Sequence, residues 1–442
     1  MREFEKHQSS AGLGAQPVLA LLAEGQSVWK DDISRDMLER GFLQWQIDEV
    51  GIRGLTSNPT IFARAIAAGD AYDADMERLL IQGKDAGEIF EALAVDDVRT
   101  ACDLFRPLYD VSRAGDGFVS IEVSPGAARD PEATWIEARR LWAAVNRPNL
   151  MIKVPGTAQS IAVIEDLLAA RINVNVTLLF SVERYERVGL AYLVALERRR
   201  AAGQPIDRVA SVASFFVSRV DALVDKLLDA TIAETGDPTR QERLRALRGK
   251  AAIANAKLAY ARFREVFAGP RWEALRAAGA RVQRPLWAST STKDPAYRDV
   301  RYVEELVGPD TVNTMPEVTL AAVLDHGVVR RTVDRRLDEA PRTVRELGEV
   351  GVDLNAVTDQ LEQEGIAAFG RSFDALLAGV EAKGRLLADR IAGESEPAHD
   401  RPCSSGWYRP RPSRANRRPV RRESRRQAAD RPPGPGPDPS FR

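Results

Sequence analysis

The stretch Asn149-Leu-Met-Ile-Lys-Val-Pro-Gly-Thr157 is a short apolar run with one lysine, Lys153, near its centre, stopped by Pro155-Gly156. Lysine is depleted in strands and rarely buried unless something pairs with it or uses it. Two readings compete. In one, this is an edge strand whose lysine blocks aggregation. In the other, the lysine points into an interior and does chemistry.

The segments on both sides of this stretch repeat the pattern. Gln26–Asp31 (QSVWKD), 51–57 (GIRGLTS) and 118–123 (FVSIEV) read as strands before the lysine strand. After it come 172–177 (INVNVT), 209–214 (VASVAS), 285–289 (PLWAS) and Thr311–Met315 (TVNTM). Stretches with helical spacing lie between them, over roughly 60–112, 131–145, 158–170, 182–202 and 217–268, and again beyond 318. Strands alternating with helices in this way predict an α/β fold, a (β/α)8 TIM barrel with extra helices. The alternative is an open doubly wound sheet. It would usually carry a glycine-rich phosphate loop after its first strand, and the sequence has no GxGxxG or GxxxxGK[ST].

Composition narrows the function. Apolar residues make up 44% of the 442, enough for a full core. Two cysteines, Cys102 and Cys403, are too few for a disulfide framework. With three histidines (His7, His326, His399) they also make a Cys/His zinc site improbable, so no metal is expected. No apolar segment approaches the roughly 20 residues of a membrane helix. The acid-bearing N-terminus lacks the apolar core of a signal peptide, so a cytoplasmic protein with no membrane partner is expected.

The formal charge of −1 hides a split: residues 401–442 carry twelve Arg against three acids, a net of +9, which leaves −10 on the first 400. An acidic body does not suit nucleic acid, and none is expected as a partner of the barrel. The expected division is a flexible lead over 1–14, the barrel over 15–394, and a disordered Pro/Arg-rich basic tail over 395–442. The sequence sets no oligomeric state.

In a barrel, alternate strand residues point inward, and reactive groups gather at the carboxyl ends of the strands. Alternation turns Asn173, Asn175 and Thr177 to one side and Ile172, Val174 and Val176 to the other. If the apolar face packs under helices, the polar face lines the interior. The same argument turns Ser120, Glu122 and Lys153 inward, with Trp29 and Asp31 from the first strand. Asp31, Asn58, Glu122, Lys153, Asn175, Thr177 and Ser214 then fall in one layer. Each has a structural explanation when taken alone: a helix cap for Asp31, a turn residue for Asn58, a paired buried carboxylate for Glu122. Together around a lysine they describe a site.

A partly desolvated lysine can present a neutral amine to a ketone, and the protonated imine then serves as an electron sink for breaking the adjacent C–C bond. Carboxylates move the protons, while Asn, Ser and Thr suit a polyol. This is class I aldol-type chemistry. Two features fit less simply. Lys30 falls on the outward face, so its stem must snorkel or strand one must be partly exposed. Asp32 sits beside Asp31, but alternation brings only one of them inward, and that is Asp31.

Six segments also carry a resemblance. Gly54-Leu-Thr-Ser-Asn-Pro-Thr-Ile-Phe62, Val119-Ser-Ile-Glu-Val123, Met151-Ile-Lys-Val-Pro-Gly-Thr157, Ile172-Asn-Val-Asn-Val-Thr-Leu-Leu-Phe-Ser181, Val212-Ala-Ser-Phe-Phe-Val-Ser-Arg219 and Leu286-Trp-Ala-Ser-Thr290 resemble transaldolases in sequence and order. The longer bacterial form looks nearest, over roughly residues 15–385. The resemblance implies a class I aldolase barrel with no cofactor. It would move a dihydroxyacetone unit from sedoheptulose 7-phosphate to glyceraldehyde 3-phosphate, a step of the non-oxidative pentose phosphate pathway. Its implied partners are therefore small sugar phosphates.

By motif match, Lys153 resembles the Schiff-base lysine and Asp31 the acid/base at the C4 hydroxyl. Glu122 and Thr177 resemble the pair that positions a water. Asn58, Asn175 and Ser214 match contacts to the dihydroxyacetone unit, and Arg219 and Ser289 contacts to phosphate. Some relatives place an arginine shortly after that serine. This chain reads Thr290-Ser-Thr-Lys293 there, and Lys293 is expected to supply the second charge for a dianionic phosphate. Two other readings stay open: a fructose 6-phosphate aldolase-like enzyme, and a catalytically idle barrel that binds a partner.

Overall fold

The computed structural model describes residues 16–394. The lead expected over 1–14 and the tail expected over 395–442 lie outside them. Eight parallel strands close into a barrel in chain order. They are β1 (Gln26–Asp31), β2 (Gly54–Thr56), β3 (Phe118–Glu122), β4 (Leu150–Pro155), β5 (Val174–Leu179), β6 (Ser211–Phe216), β7 (Arg284–Ala288) and β8 (Thr311–Met315). Helices alternate with them, as expected of a (β/α)8 TIM barrel. Because β8 pairs back onto β1, no strand has a free edge, and the edge-strand reading of Lys153 falls away.

Extra helices are present too. The region 217–268 holds three, Ser218–Glu234, Pro238–Leu247 and Ala251–Val266, and the last described helix is the long Leu354–Glu394. Among the described residues, no helix is long and apolar enough to cross a membrane.

The barrel interior is built in levels. At the amino end of the strands, Arg284 donates to Ser27 Oγ (2.8 Å) and to Asp116 Oδ1 (3.1 Å), and Ser27 donates to Asp116 Oδ2. Above this network, Trp29, Phe118, Met151, Val212, Leu286 and Val312 form an apolar plug. Gly54 makes room for it, since a Cβ there would sit 2.6 Å from the Trp29 ring. The polar layer lies at the carboxyl ends. Outward residues such as Val28, Leu55, Ile121, Ile152, Val174 and Phe215 pack in the larger core under the helices.

Two expectations about strand residues need correction. Strand five runs over Val174–Leu179 and strand six over Ser211–Phe216, each two residues later than the sequence suggests. Asn173 lies below strand five and donates to Pro148 O and Leu150 O (both 3.0 Å), while its Oδ1 accepts from Ala210 N (3.0 Å). It ties strand bases together and is not an interior site residue. Lys30 neither snorkels nor leaves its strand exposed. It is 1% exposed, paired with Glu317, and its ammonium lies 5.6 Å from the Phe42 ring centre.

Candidate active site

Strand register sets the site. Parallel pairing places Glu122 beside Lys153, Lys153 beside Asn175, and Asp31 beside Thr56. Lys153 Nζ donates to Glu122 Oε2 (3.2 Å) and to Ser57 O (3.1 Å). Burial raises the Glu122 carboxyl above the usual carboxylate range, against the pull of Lys153. A carboxyl shifted in this way is suited to carrying a proton in acid–base chemistry. On the neighbouring wall, Thr56 Oγ donates to Asp31 Oδ1 (2.8 Å). Thr56 has one hydroxyl proton, so in its 2.7 Å contact with Thr314 it must accept. Asp31 thus sits at the end of a directed chain, Thr314 to Thr56 to Asp31.

A cavity of about 390 Å³ opens above this layer. Asp31, Asn58, Glu122, Lys153, Thr177, Ser214, Arg219, Ser289 and Lys293 all line it. Asn175 does not. It is fully buried beneath the floor, donating to Ser120 Oγ (3.1 Å) and accepting from Ser214 Oγ (2.7 Å). Asp31 is no helix cap, because Ser34 fills that role for the Arg35–Glu39 helix. Asn58 serves two purposes. Its Oδ1 caps the Pro59–Ala67 helix by accepting from Ile61 N (3.1 Å), which leaves the amide donors for the cavity.

The β5 end breaks alternation. Its register against β6 shifts between Val176 and Leu179, and Leu178 has φ +58°. Both Thr177 and Leu178 consequently line the cavity, which a regular strand would not allow. Ser289, just past β7, is likewise left-handed at φ +57°. Strained backbone of this kind concentrates at functional sites.

Arg219 and Lys293 both line the cavity, as does Arg64 from the Pro59–Ala67 helix. Arg219 is the second residue of the Ser218–Glu234 helix, and Ser289 Oγ meets Ser218 Oγ at that helix's start (3.0 Å). Partial desolvation at the rim lowers the pKa of Arg219, and together with the Arg219 charge it lowers that of Lys293. Two cations that repel each other across a cavity, beside a helix N-terminus, form a fitting receptor for a phosphate.

Several lining residues were missed in the sequence. Thr56 and Thr314 have inward register at the ends of β2 and β8, which alternation could have supplied. From Leu354–Glu394, the face Gly365, Ala368, Phe369 and Ser372 closes one side of the cavity. Its spacing of three, four and seven residues marks a single helical face, but only the fold shows what that face covers. Among the described residues, no group of His, Cys, Asp and Glu is arranged to hold a metal ion.

Comparison with known proteins gives a consistent result. The family model described as transaldolase/fructose-6-phosphate aldolase matches residues 28–380. A transaldolase from Acidothermus cellulolyticus is 50% identical over 365 residues, covering 82% of this chain and 96% of its own. A transaldolase from Trichodesmium erythraeum is 46% identical over 365 residues, with the same two coverages. A transaldolase from Parafrankia sp. is 49% identical over 364 residues. The family match runs from within β1 to beyond β8, and this chain belongs to the transaldolase/fructose-6-phosphate aldolase family of enzymes.

Proposed function

We propose that this enzyme is a transaldolase of the non-oxidative pentose phosphate pathway that works through a Schiff base on Lys153. Its donor would be sedoheptulose 7-phosphate and its acceptor glyceraldehyde 3-phosphate. The products would be erythrose 4-phosphate and fructose 6-phosphate. The observation that carries this is the Lys153 amine on the floor of a closed polar layer, 3.2 Å from Glu122, with Asp31 lining the same cavity.

In this reading Lys153 Nζ attacks the ketose C2 carbonyl, and loss of water from the carbinolamine gives the imine. Glu122 and Thr177 hold that water, and Glu122 passes protons between it and the nitrogen. Asp31 takes the proton of the C4 hydroxyl, the C3–C4 bond breaks, and its electron pair moves into the iminium. The first aldehyde leaves. The retained three-carbon unit then attacks the acceptor aldehyde, whose oxygen takes the proton back from Asp31. Water hydrolyses the new imine and restores the amine. Ser214 and Asn58 contact the dihydroxyacetone unit. Asn175 supports Ser214 from below. Arg219, Ser289 and Lys293 hold the phosphate. A cytoplasmic location fits this metabolic role.

The family description also covers fructose 6-phosphate aldolase, which releases free dihydroxyacetone. The Glu122–Thr177 pair favours transfer. Coupled assays of both products on one sample discriminate: erythrose 4-phosphate should form without matching free dihydroxyacetone. Release of dihydroxyacetone at the transfer rate would overturn the transferase reading.

A further inference from the structure

Three acids follow Arg219 at four-residue spacing on the Ser218–Glu234 helix: Asp221, Asp225 and Asp229. That spacing puts them on one helical face. None lines the cavity, and each pairs with a neighbouring segment of the chain. Asp221 accepts from Ala252 N (2.7 Å) and from the Tyr302 hydroxyl (2.9 Å). Asp225 accepts from Gly249 N (2.9 Å) and from the Tyr297 hydroxyl (2.6 Å). Asp229 lies 3.1 Å from the Arg248 guanidinium, which also donates to Asp294 (3.0 Å).

Asp294 directly follows Lys293, and its second oxygen accepts from Ala296 N (2.9 Å), shaping the loop from within. The junction is tightly packed. Gly249 has φ +67°, and a Cβ there would come within 2.6 Å of Arg301 and 2.7 Å of the Tyr297 ring. Arg301 stacks over that ring at 4.5 Å.

The helix that presents Arg219 therefore also grips, through its acidic face, the loop that presents Lys293. Without such a grip the two cations would drift apart, because like charges repel and the loop after β7 is on the surface. We propose that Arg248 and Tyr297 are positioning residues that latch the loop after β7 onto the Ser218–Glu234 helix and so fix Lys293 opposite Arg219 for phosphate. This deepens the phosphate reading given above and rests on it.

The test compares fructose 6-phosphate with unphosphorylated fructose as donors, in the full-length enzyme, for Lys293→Met, Arg248→Gln, Tyr297→Phe and the double variant Lys293→Met/Arg248→Gln. Loss of a charge-assisted contact predicts that Lys293→Met raises KM for fructose 6-phosphate about ten-fold or more. Arg248→Gln and Tyr297→Phe should each raise it about three- to ten-fold while kcat/KM for fructose stays within about two-fold. In the double variant, Arg248→Gln should add nothing further, and Arg248→Lys should recover part of the affinity.

If Lys293→Met leaves KM unchanged, the phosphate role of Lys293 fails and the latch with it. If Lys293→Met behaves as expected but both latch variants lower the two donors equally, or add fully to Lys293→Met, the latch alone is overturned. Tyr297→Phe removes a single hydroxyl, so it keeps the test decisive should Arg248→Gln fail to fold.

Discussion

Lys153 differs from the buried Lys30 in what surrounds it. Lys30 is locked to Glu317 behind the barrel wall, whereas Lys153 faces a cavity with a single carboxylate at hydrogen-bond distance. Replacing Lys153 with Ala should abolish turnover, checked by the coupled transfer assay. Replacing Asp31 with Ala should leave imine formation intact but lower turnover by about 10²–10⁴-fold, the usual worth of a general acid/base. Unchanged turnover in that variant would remove Asp31 from the mechanism. That Asp31 rather than Asp32 faces inward was legible in the sequence because the strand period is two. In the structure Asp31 lines the cavity, while Asp32 feels Lys30 and Glu317 on the other side and burial raises its carboxyl. The fate of Lys30 was not legible. Its partner lies 287 residues away, and nothing local distinguishes a paired buried lysine from one that snorkels.

At the scale of elements, β1, β8 and the Pro131–Val145 helix lie where the sequence places them. β5 does not. Its bulge at Leu178 depends on packing against β6, and the Ile172–Thr177 alternation contains no trace of it. The interior plug gives a prediction about β2. Gly54 lies against a Trp29 ring that is fully buried and cannot retreat. Gly54→Ala should therefore destabilise the fold by about 1–3 kcal/mol through overpacking, read as a lower urea midpoint at unchanged m-value. A midpoint equal to that of the parent would mean the plug is softer than its packing implies. The Leu354–Glu394 helix shows the limit of local reading. Its small residues are ordinary in a helix, and only the closed barrel beneath turns them into a cavity wall.

The whole barrel was legible because each of its strands carries a local pattern, and a set of parallel strands with intervening helices has few ways to close. The pairings that stabilise it were less visible, since most join distant segments. Asp221 is one of these. Burial pushes its carboxyl up to about 6, so the fold favours the protonated form. With a raised pKa, its stabilising contribution is fully present below the ordinary aspartate value and is lost as pH rises through about 6. The difference in unfolding free energy between the parent and Asp221→Asn should therefore shift against the parent by on the order of 3 kcal/mol between pH 4 and pH 7. Urea titrations across that range check it, and a flat difference would contradict it.

The proposed mechanism turns on one covalent bond between Lys153 and the donor ketose, and that bond can be trapped. With fructose 6-phosphate present, borohydride should reduce an adduct onto the enzyme, and peptide mass mapping should place it on Lys153 alone. An adduct on Lys30 or any other lysine, or none at all, would contradict the Schiff-base mechanism.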